Sequence, residues 1–246
     1  MSRIAYLIPL LFLGCASTPP PVQTAGTAPT PPLANPVGLR WVRGSAEYRA
    51  ITIQTYKAAL ASVERLSEGR PGGSWAVSVD ADETILDNSQ FEKEFFENPA
   101  TPMKIAWPAW VKRRQRPPVP GAMTFLTGVR KLGGKVAVVS NTAHALCPDV
   151  AANLESTGLP YDILLCRQES DPDRKEGRWK RVTEGTAAPG TPPLDLLVWV
   201  GDNVQDFPDQ SQALRREPES SFSDFGVRFF ALPNPLYGTW EKNPLE

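Results

Sequence analysis

The chain has 246 residues and a formal net charge of -1, which suits one sizeable α/β domain and leaves little room for a second. A balance so close to neutrality supplies no field that would draw a nucleic-acid polymer. The single histidine, His144, argues against a histidine-based triad or a histidine-rich metal site and reads as a surface residue.

The first 15 residues read as an export signal: Arg3 supplies positive charge and residues 4–13 form an apolar core too short to span a bilayer. The core ends in Phe12-Leu13-Gly14-Cys15-Ala16-Ser17, which resembles a bacterial lipobox with Phe12 where Leu is usual. Cys15 would then become the lipidated first residue, tying the protein to a membrane of the bacterial cell envelope, on the outer membrane or facing the periplasm. An ordinary cleaved signal with a chance cysteine is the alternative. Residues 16–38 are rich in Pro, Thr and Ala, bury too little to order themselves, and predict a disordered tether. The folded domain is expected over 39–246.

Helical spacing of Tyr48, Ile51, Tyr56, Leu60 and Val63 predicts a helix over 46–67, broken by the Gly and Pro of 69–73. The apolar run 75–79 predicts a buried strand that ends at Asp80 and Asp82. Two crowded carboxylates repel and call for a hard cation such as Mg²⁺, a hydrogen-bond cradle or a raised pKa. An acidic turn after a strand would look the same. An aromatic and basic stretch follows, with Phe91, Trp107 and Trp110, then Lys112, Arg113, Arg114 and Arg116. The basic residues read as a solvated helix face, with attraction of an anionic substrate as the other reading. A helix over 121–132, a strand over 135–139 ending at Ser140-Asn141, a helix over 145–156 and a short strand at 163–165 come next. A short helix near 178–184, a strand over 194–200 ending at Gly201-Asp202, and a last strand near 227–232 complete the pattern. Alternating strands and helices predict an α/β fold, a Rossmann-like parallel sheet with helices on both faces. Cys147 and Cys166 are either two buried thiols or, in an oxidising compartment, a disulfide.

In a parallel sheet all strand carboxyl ends lie along one edge, so Asp80, Asp82, Ser140, Asn141, Lys175, Asp202 and Asp206 should converge there. The run Asp80-Ala81-Asp82-Glu83-Thr84-Ile85-Leu86-Asp87-Asn88-Ser89, the pair Ser140-Asn141, residues 200–207 and the tail at 232–241 together resemble the haloacid-dehalogenase superfamily, and within it the class C acid phosphatases, many of them bacterial lipoproteins. Phe91 and Thr142 stand where that family usually has Tyr and Arg.

The resemblance implies a Mg²⁺-dependent phosphomonoesterase with Asp80 as nucleophile and Asp82 as general acid and base. It implies metal ligation by Asp80, Asp82 (through its backbone carbonyl) and Asp202, with Asp206 in support. It implies phosphate binding by Ser140, Asn141 and Lys175, the lysine being placed by the pattern Lys175-x-x-Arg178-Trp179 with Lys180 as its competitor. A small, mainly helical cap is expected near 88–118, where Phe91, Trp107 and Trp110, together with Tyr237, either stack on a substrate such as a nucleoside monophosphate or simply pack the cap. A non-catalytic binding or storage protein on the same fold, and another reaction of the superfamily such as dehalogenation, are the competing readings.

Overall fold

The apolar runs bounded by Gly, Pro and polar residues become the strands of a five-stranded sheet in the order β3-β2-β1-β4-β5, with every neighbouring pair parallel. The strands are β1 (Trp75–Val79), β2 (Lys135–Ala143), β3 (Ile163–Arg167), β4 (Asp195–Gly201) and β5 (Phe229–Ala231). The helices are α1 (Val37–Gly44), α2 (Ala46–Ser67), α3 (Ser89–Glu97), α4 (Met103–Arg113), α5 (Ala122–Lys131), α6 (Cys147–Thr157) and α7 (Glu176–Thr183). The structure, a computed structural model, describes residues 37–98 and 100–244. The expected signal, Cys15 and most of the tether lie outside the described residues. Helix α1 starts at Val37, inside the stretch read as tether, because Leu39 and Val42 bury their side chains. No helix of the described residues is long and apolar enough to cross a membrane.

Helix α2 spans the predicted residues and is started by Ser45, whose hydroxyl accepts from the Tyr48 N–H at 3.0 Å. Central strand β1 is buried along its whole length. Its side chains alternate between two cores, as strand geometry requires. Trp75, Val77 and Val79 meet Val63, Phe125 and Leu126 of α2 and α5 on one face, while Ala76 joins Trp179, Trp199 and Phe229 on the other. Ser78, on that second face, accepts from the Trp179 indole N–H at 2.9 Å, so α7 is pinned to β1 by a satisfied polar contact.

The chain runs outward from β1 through β2 to β3, then returns to the other side of β1 as β4 and β5. The order therefore reverses between β1 and β4, and a crevice opens beyond their carboxyl ends. Helices α3 and α4 occupy the segment between β1 and α5. Phe91 packs there against Phe95, Trp107 and Trp110 with ring centroids 5.2–6.0 Å apart. Cys147 and Cys166 form a disulfide with Cα atoms 5.8 Å apart, joining the start of α6 to β3.

Candidate active site

The site is assembled from the ends of β1, β2 and β4 and from the residue before α7. Past β1, the backbone leaves strand geometry at once: Glu83 takes a left-handed φ of 56°, and the Ile85 and Leu86 N–H groups donate back to the Ala81 carbonyl at 3.0 and 2.8 Å. This tight turn points Asp80 and Asp82 at different partners. Past β4, Asn203 caps a short 3-10 turn, and its backbone N–H donates to the Asp206 carboxylate at 2.9 Å. Gly201 makes room for that carboxylate, since a Cβ at this position would sit 2.3 Å from the Asp206 Cβ and 2.4 Å from its Oδ2. The residue before α7 supplies Lys175.

Asp80, Asp202 and Asp206 bring one carboxylate oxygen each to within 4.8 Å of one another. The Lys175 ammonium, on a side chain only 2% exposed, pairs with Asp80 and with Asp206, the latter at 2.7 Å. Lys180 is 71% exposed and pairs with Glu184 at 3.6 Å, so of the two lysines Lys175 is the one that meets the acidic cluster. Asp202 receives two neutral donors, the Thr84 hydroxyl at 3.0 Å and the Asn234 amide at 2.8 Å. Sequence reasoning missed both.

Three carboxylates, Asp80 and Asp206 buried and Asp202 partly buried, beside one ammonium leave excess negative charge. Burial, with Asp206 and Asp82 adding repulsion, pushes the Asp80 carboxyl up to about 7 from an ordinary 3.8 even though Lys175 pulls it down. Burial, then Asp206 and Asp80, hold Asp202 well above the same ordinary value. Burial alone would lower the Lys175 ammonium, but Asp206 and Asp80 outweigh it and keep it above its usual 10.5. Such a cluster of oxygen donors fits a hard divalent cation, which would offset the repulsion. Asp206, expected only in support, joins Asp80 and Asp202 in this cluster, and the Asp82 carboxylate lies outside it, in keeping with an expected role through its backbone carbonyl.

Asp82 is held by a different group of donors. Its Oδ1 accepts from Arg116 Nη1 at 2.8 Å and from Asn88 Nδ2 at 3.1 Å, and its Oδ2 accepts from the Thr142 hydroxyl at 2.8 Å. Arg116 thus corrects the reading of the basic run. Lys112, Arg113 and Arg114 are exposed, but Arg116 is fully buried, because Arg114 adopts a left-handed φ of 55° that turns the following chain inward.

A cavity of about 430 Å³ opens over these groups and is lined by Asp80, Asp82, Lys175 and Asp202 together with Trp107 and Tyr237. Asn141 and Thr142 also line it, whereas Ser140 is fully buried, does not line it, and uses its hydroxyl to accept the Thr142 N–H at 3.0 Å. Arg178, fully buried three residues after Lys175, donates to the Ser140 carbonyl and the Asn141 side chain and so ties α7 to the end of β2. Phe91 and Trp110 are core residues that do not line the cavity, which gives stacking on a substrate no support at those positions. Trp110 instead donates its indole N–H to Asn88 at 2.8 Å. The Tyr237 hydroxyl donates to the buried Glu83. His144 is exposed and lies outside the cavity's lining. A larger cavity of about 690 Å³ lies between the N-terminal helices and α3 but contains none of the acidic cluster, so chemistry rather than size identifies the site.

Comparison with known proteins agrees with this geometry. The chain is similar in structure to the class C acid phosphatase from Bacillus anthracis, with a TM-score of 0.70, 26% identity, and 83% of this chain and 85% of the other covered. A second structure of that enzyme, with tungstate bound, matches at a TM-score of 0.70 and 25% identity over the same shares. Residues 12–240 match the family described as HAD superfamily, subfamily IIIB (acid phosphatase). With strand-end carboxylates gathered at the sheet's switch point and a family match across nearly the whole sequence, this chain belongs to the subfamily IIIB acid phosphatases of the HAD superfamily.

Proposed function

We propose that this acid phosphatase is an exported, Mg²⁺-dependent phosphomonoesterase that works through an aspartyl nucleophile. The observation that carries the reading is the meeting of Asp80, Asp202 and Asp206 within 4.8 Å, beside Lys175. Asp80, Asp202 and Asp206 would hold the ion through side-chain oxygens, with the Asp82 backbone carbonyl as a further donor. Mg²⁺, when bound, offsets the repulsion between a phosphate dianion and the nucleophilic carboxylate and polarises the phosphoryl oxygens.

Asp80 attacks phosphorus as the ester P–O bond breaks, giving a phospho-aspartyl enzyme. Asp82 delivers a proton to the departing alkoxide, then takes one from the water that hydrolyses the acyl phosphate. Lys175 favours the anionic form of Asp80 against the burial that opposes it, and receives charge on the phosphoryl oxygens. Asn141 and Thr142, at the end of β2, offer the cavity further polar contacts. Tungstate is a tetrahedral oxyanion like phosphate, so its binding to the Bacillus anthracis enzyme supports an oxyanion site of this kind.

Trp107 and Tyr237 flank the cavity and supply the flat faces that a nucleoside monophosphate would use. The Cys147–Cys166 disulfide supports an oxidising compartment, in keeping with export and with a lipid anchor at Cys15 that places the enzyme in the cell envelope. The test is hydrolysis of p-nitrophenyl phosphate and of nucleoside monophosphates by the wild type and by Asp80→Asn, with EDTA and with Mg²⁺ restored. The reading predicts activity in wild type that EDTA removes and Mg²⁺ returns. Full activity in metal-free protein would reject the metal, and turnover by folded Asp80→Asn would reject the nucleophile.

A further inference from the structure

The Asp82 carboxylate is gripped from a direction that the acidic cluster does not explain. Arg116 contributes nothing to the cavity lining, yet its Nη1 reaches Asp82 Oδ1 at 2.8 Å from a side chain that is 0% exposed. Arg116 is in turn locked by Asn153 of α6, also fully buried. The Asn153 side-chain oxygen Oδ1 accepts from the Arg116 backbone N–H and from Nε, both at 3.1 Å, and the Asn153 side-chain Nδ2 donates to the Arg116 backbone carbonyl at 2.9 Å. The three bonds fix both the backbone and the plane of the guanidinium. Burying an arginine is costly unless it is paired and hydrogen-bonded, so a charged side chain held this way has a partner to serve.

The distribution of donors over the two carboxylate oxygens identifies that service. Oδ1 takes two N–H donors, from Arg116 and Asn88. Neither donor can accept a proton. Oδ2 meets the Thr142 hydroxyl, which can either donate or accept. The carboxylate is therefore held by one oxygen, and the other is left as the atom able to exchange a proton.

We propose that Arg116, set by Asn153, is a positioning residue that holds Asp82 by Oδ1 so that Oδ2 is presented to the ester oxygen of the substrate. The inference rests on the proposed general-acid role of Asp82. In that step the Oδ2–H bond breaks as the P–O bond to the leaving group breaks, and the proton goes to the leaving oxygen. Loss of the grip should hurt esters whose leaving oxygen needs the proton and spare those whose leaving group departs as a stable anion.

The experiment measures kcat/KM for phenyl phosphate and p-nitrophenyl phosphate, esters of similar shape that differ in leaving-group basicity, since this ratio reports the first chemical step. Arg116→Lys, Arg116→Gln, Asn153→Ala and Asp82→Asn are compared as full chains in Mg²⁺, each with its melting temperature. In Arg116→Lys the expected loss is about 10²-fold on phenyl phosphate and about threefold or less on p-nitrophenyl phosphate. Asn153→Ala should show the same selectivity with a smaller loss, which keeps the test alive should the arginine variants fold poorly. In an Asp82→Asn background, Arg116→Lys should add no further selective loss. Equal losses on the two esters in the Arg116 and Asn153 variants, with Asp82→Asn still selective, would overturn the positioning role alone. A non-selective loss in Asp82→Asn itself would overturn the general-acid reading, and this inference with it.

Discussion

Asp80 and Asp82 are separated by one residue, yet they occupy opposite electrical surroundings. Asp80 faces two further carboxylates and shares a single lysine with one of them. Asp82 faces an arginine, an amide and a hydroxyl, with each oxygen accepting. The first region is short of positive charge and its acids are pushed upward. In the second, both carboxylate oxygens meet donors. This contrast fits the proposed roles: a crowd of largely buried carboxylates invites a cation beside the proposed nucleophile, while a clamped carboxylate suits the proposed transfer of one proton along one direction.

The largest effect that tests the contrast is expected from Asp80→Asn, which should lower kcat for p-nitrophenyl phosphate by more than about 10³-fold. Its metal-free form should melt no lower than wild type, because one member of the repelling set has been neutralised. Lys175→Met comes next. It strands Asp80 and Asp206 in a buried site without their cation and should destabilise the metal-free protein by about 3–5 kcal/mol at neutral pH, read by denaturant titration. Lys180→Met, at an exposed position, should leave both stability and rate close to wild type.

On the Asp82 side, α6 carries Asn153 and is fastened to β3 by the disulfide, which spans 19 residues. Replacing both cysteines with alanine should cost about 3 kcal/mol in the chain-entropy account, again measured by denaturant titration. Apart from the Lys180→Met control, the smallest of these effects belongs to Gly201→Ala. Its new Cβ would meet the Asp206 side chain at 2.3–2.6 Å. The displacement should cost about 1–3 kcal/mol and weaken Mg²⁺ binding measured by calorimetry.

The sheet was legible because each strand is a short apolar run with polar or turn-forming residues at its ends, and because strands and helices alternate. The edge strand β5 is only Phe229–Ala231, shorter than its apolar run, since Val227 is exposed and Arg228 turns its guanidinium over Trp199 at 4.9 Å. The acidic cluster was legible for a similar reason: strand carboxyl ends meet on one edge, so Asp80 and Asp202 had to approach. The family resemblance pointed to Lys175 through the pattern it makes with Arg178 and Trp179, and the structure buries all three.

What the sequence concealed depends on backbone direction at single residues. Arg116 follows three exposed cations, and nothing in residue spacing signals that Arg114, a non-glycine, adopts a left-handed conformation. Thr84, Asn153 and Asn234 are ordinary polar letters whose hydrogen bonds arise only when distant segments pack. Phe91 and Trp110 could not be separated from Trp107 by composition, because burial in the α3–α4 pair and exposure to the cavity use the same residue types. The disulfide likewise depends on Cα atoms brought to 5.8 Å by α6 crossing β3.

The central claim is that Asp80, Asp202 and Asp206 form a charge-deficient site completed by a divalent cation. Its most direct measurement is the melting temperature across pH, in EDTA and in Mg²⁺. The folded-state pKa of Asp80 is raised to about 7 from 3.8, so its contribution to stability is complete below pH 3.8 and is lost as pH rises through about 7, with Asp202 acting in the same direction. In EDTA the melting temperature should therefore fall between pH 4 and pH 7, and Mg²⁺ should restore most of the loss at the upper end. A melting temperature that does not fall over this range in EDTA, and that Mg²⁺ leaves unchanged at pH 7, would contradict the account.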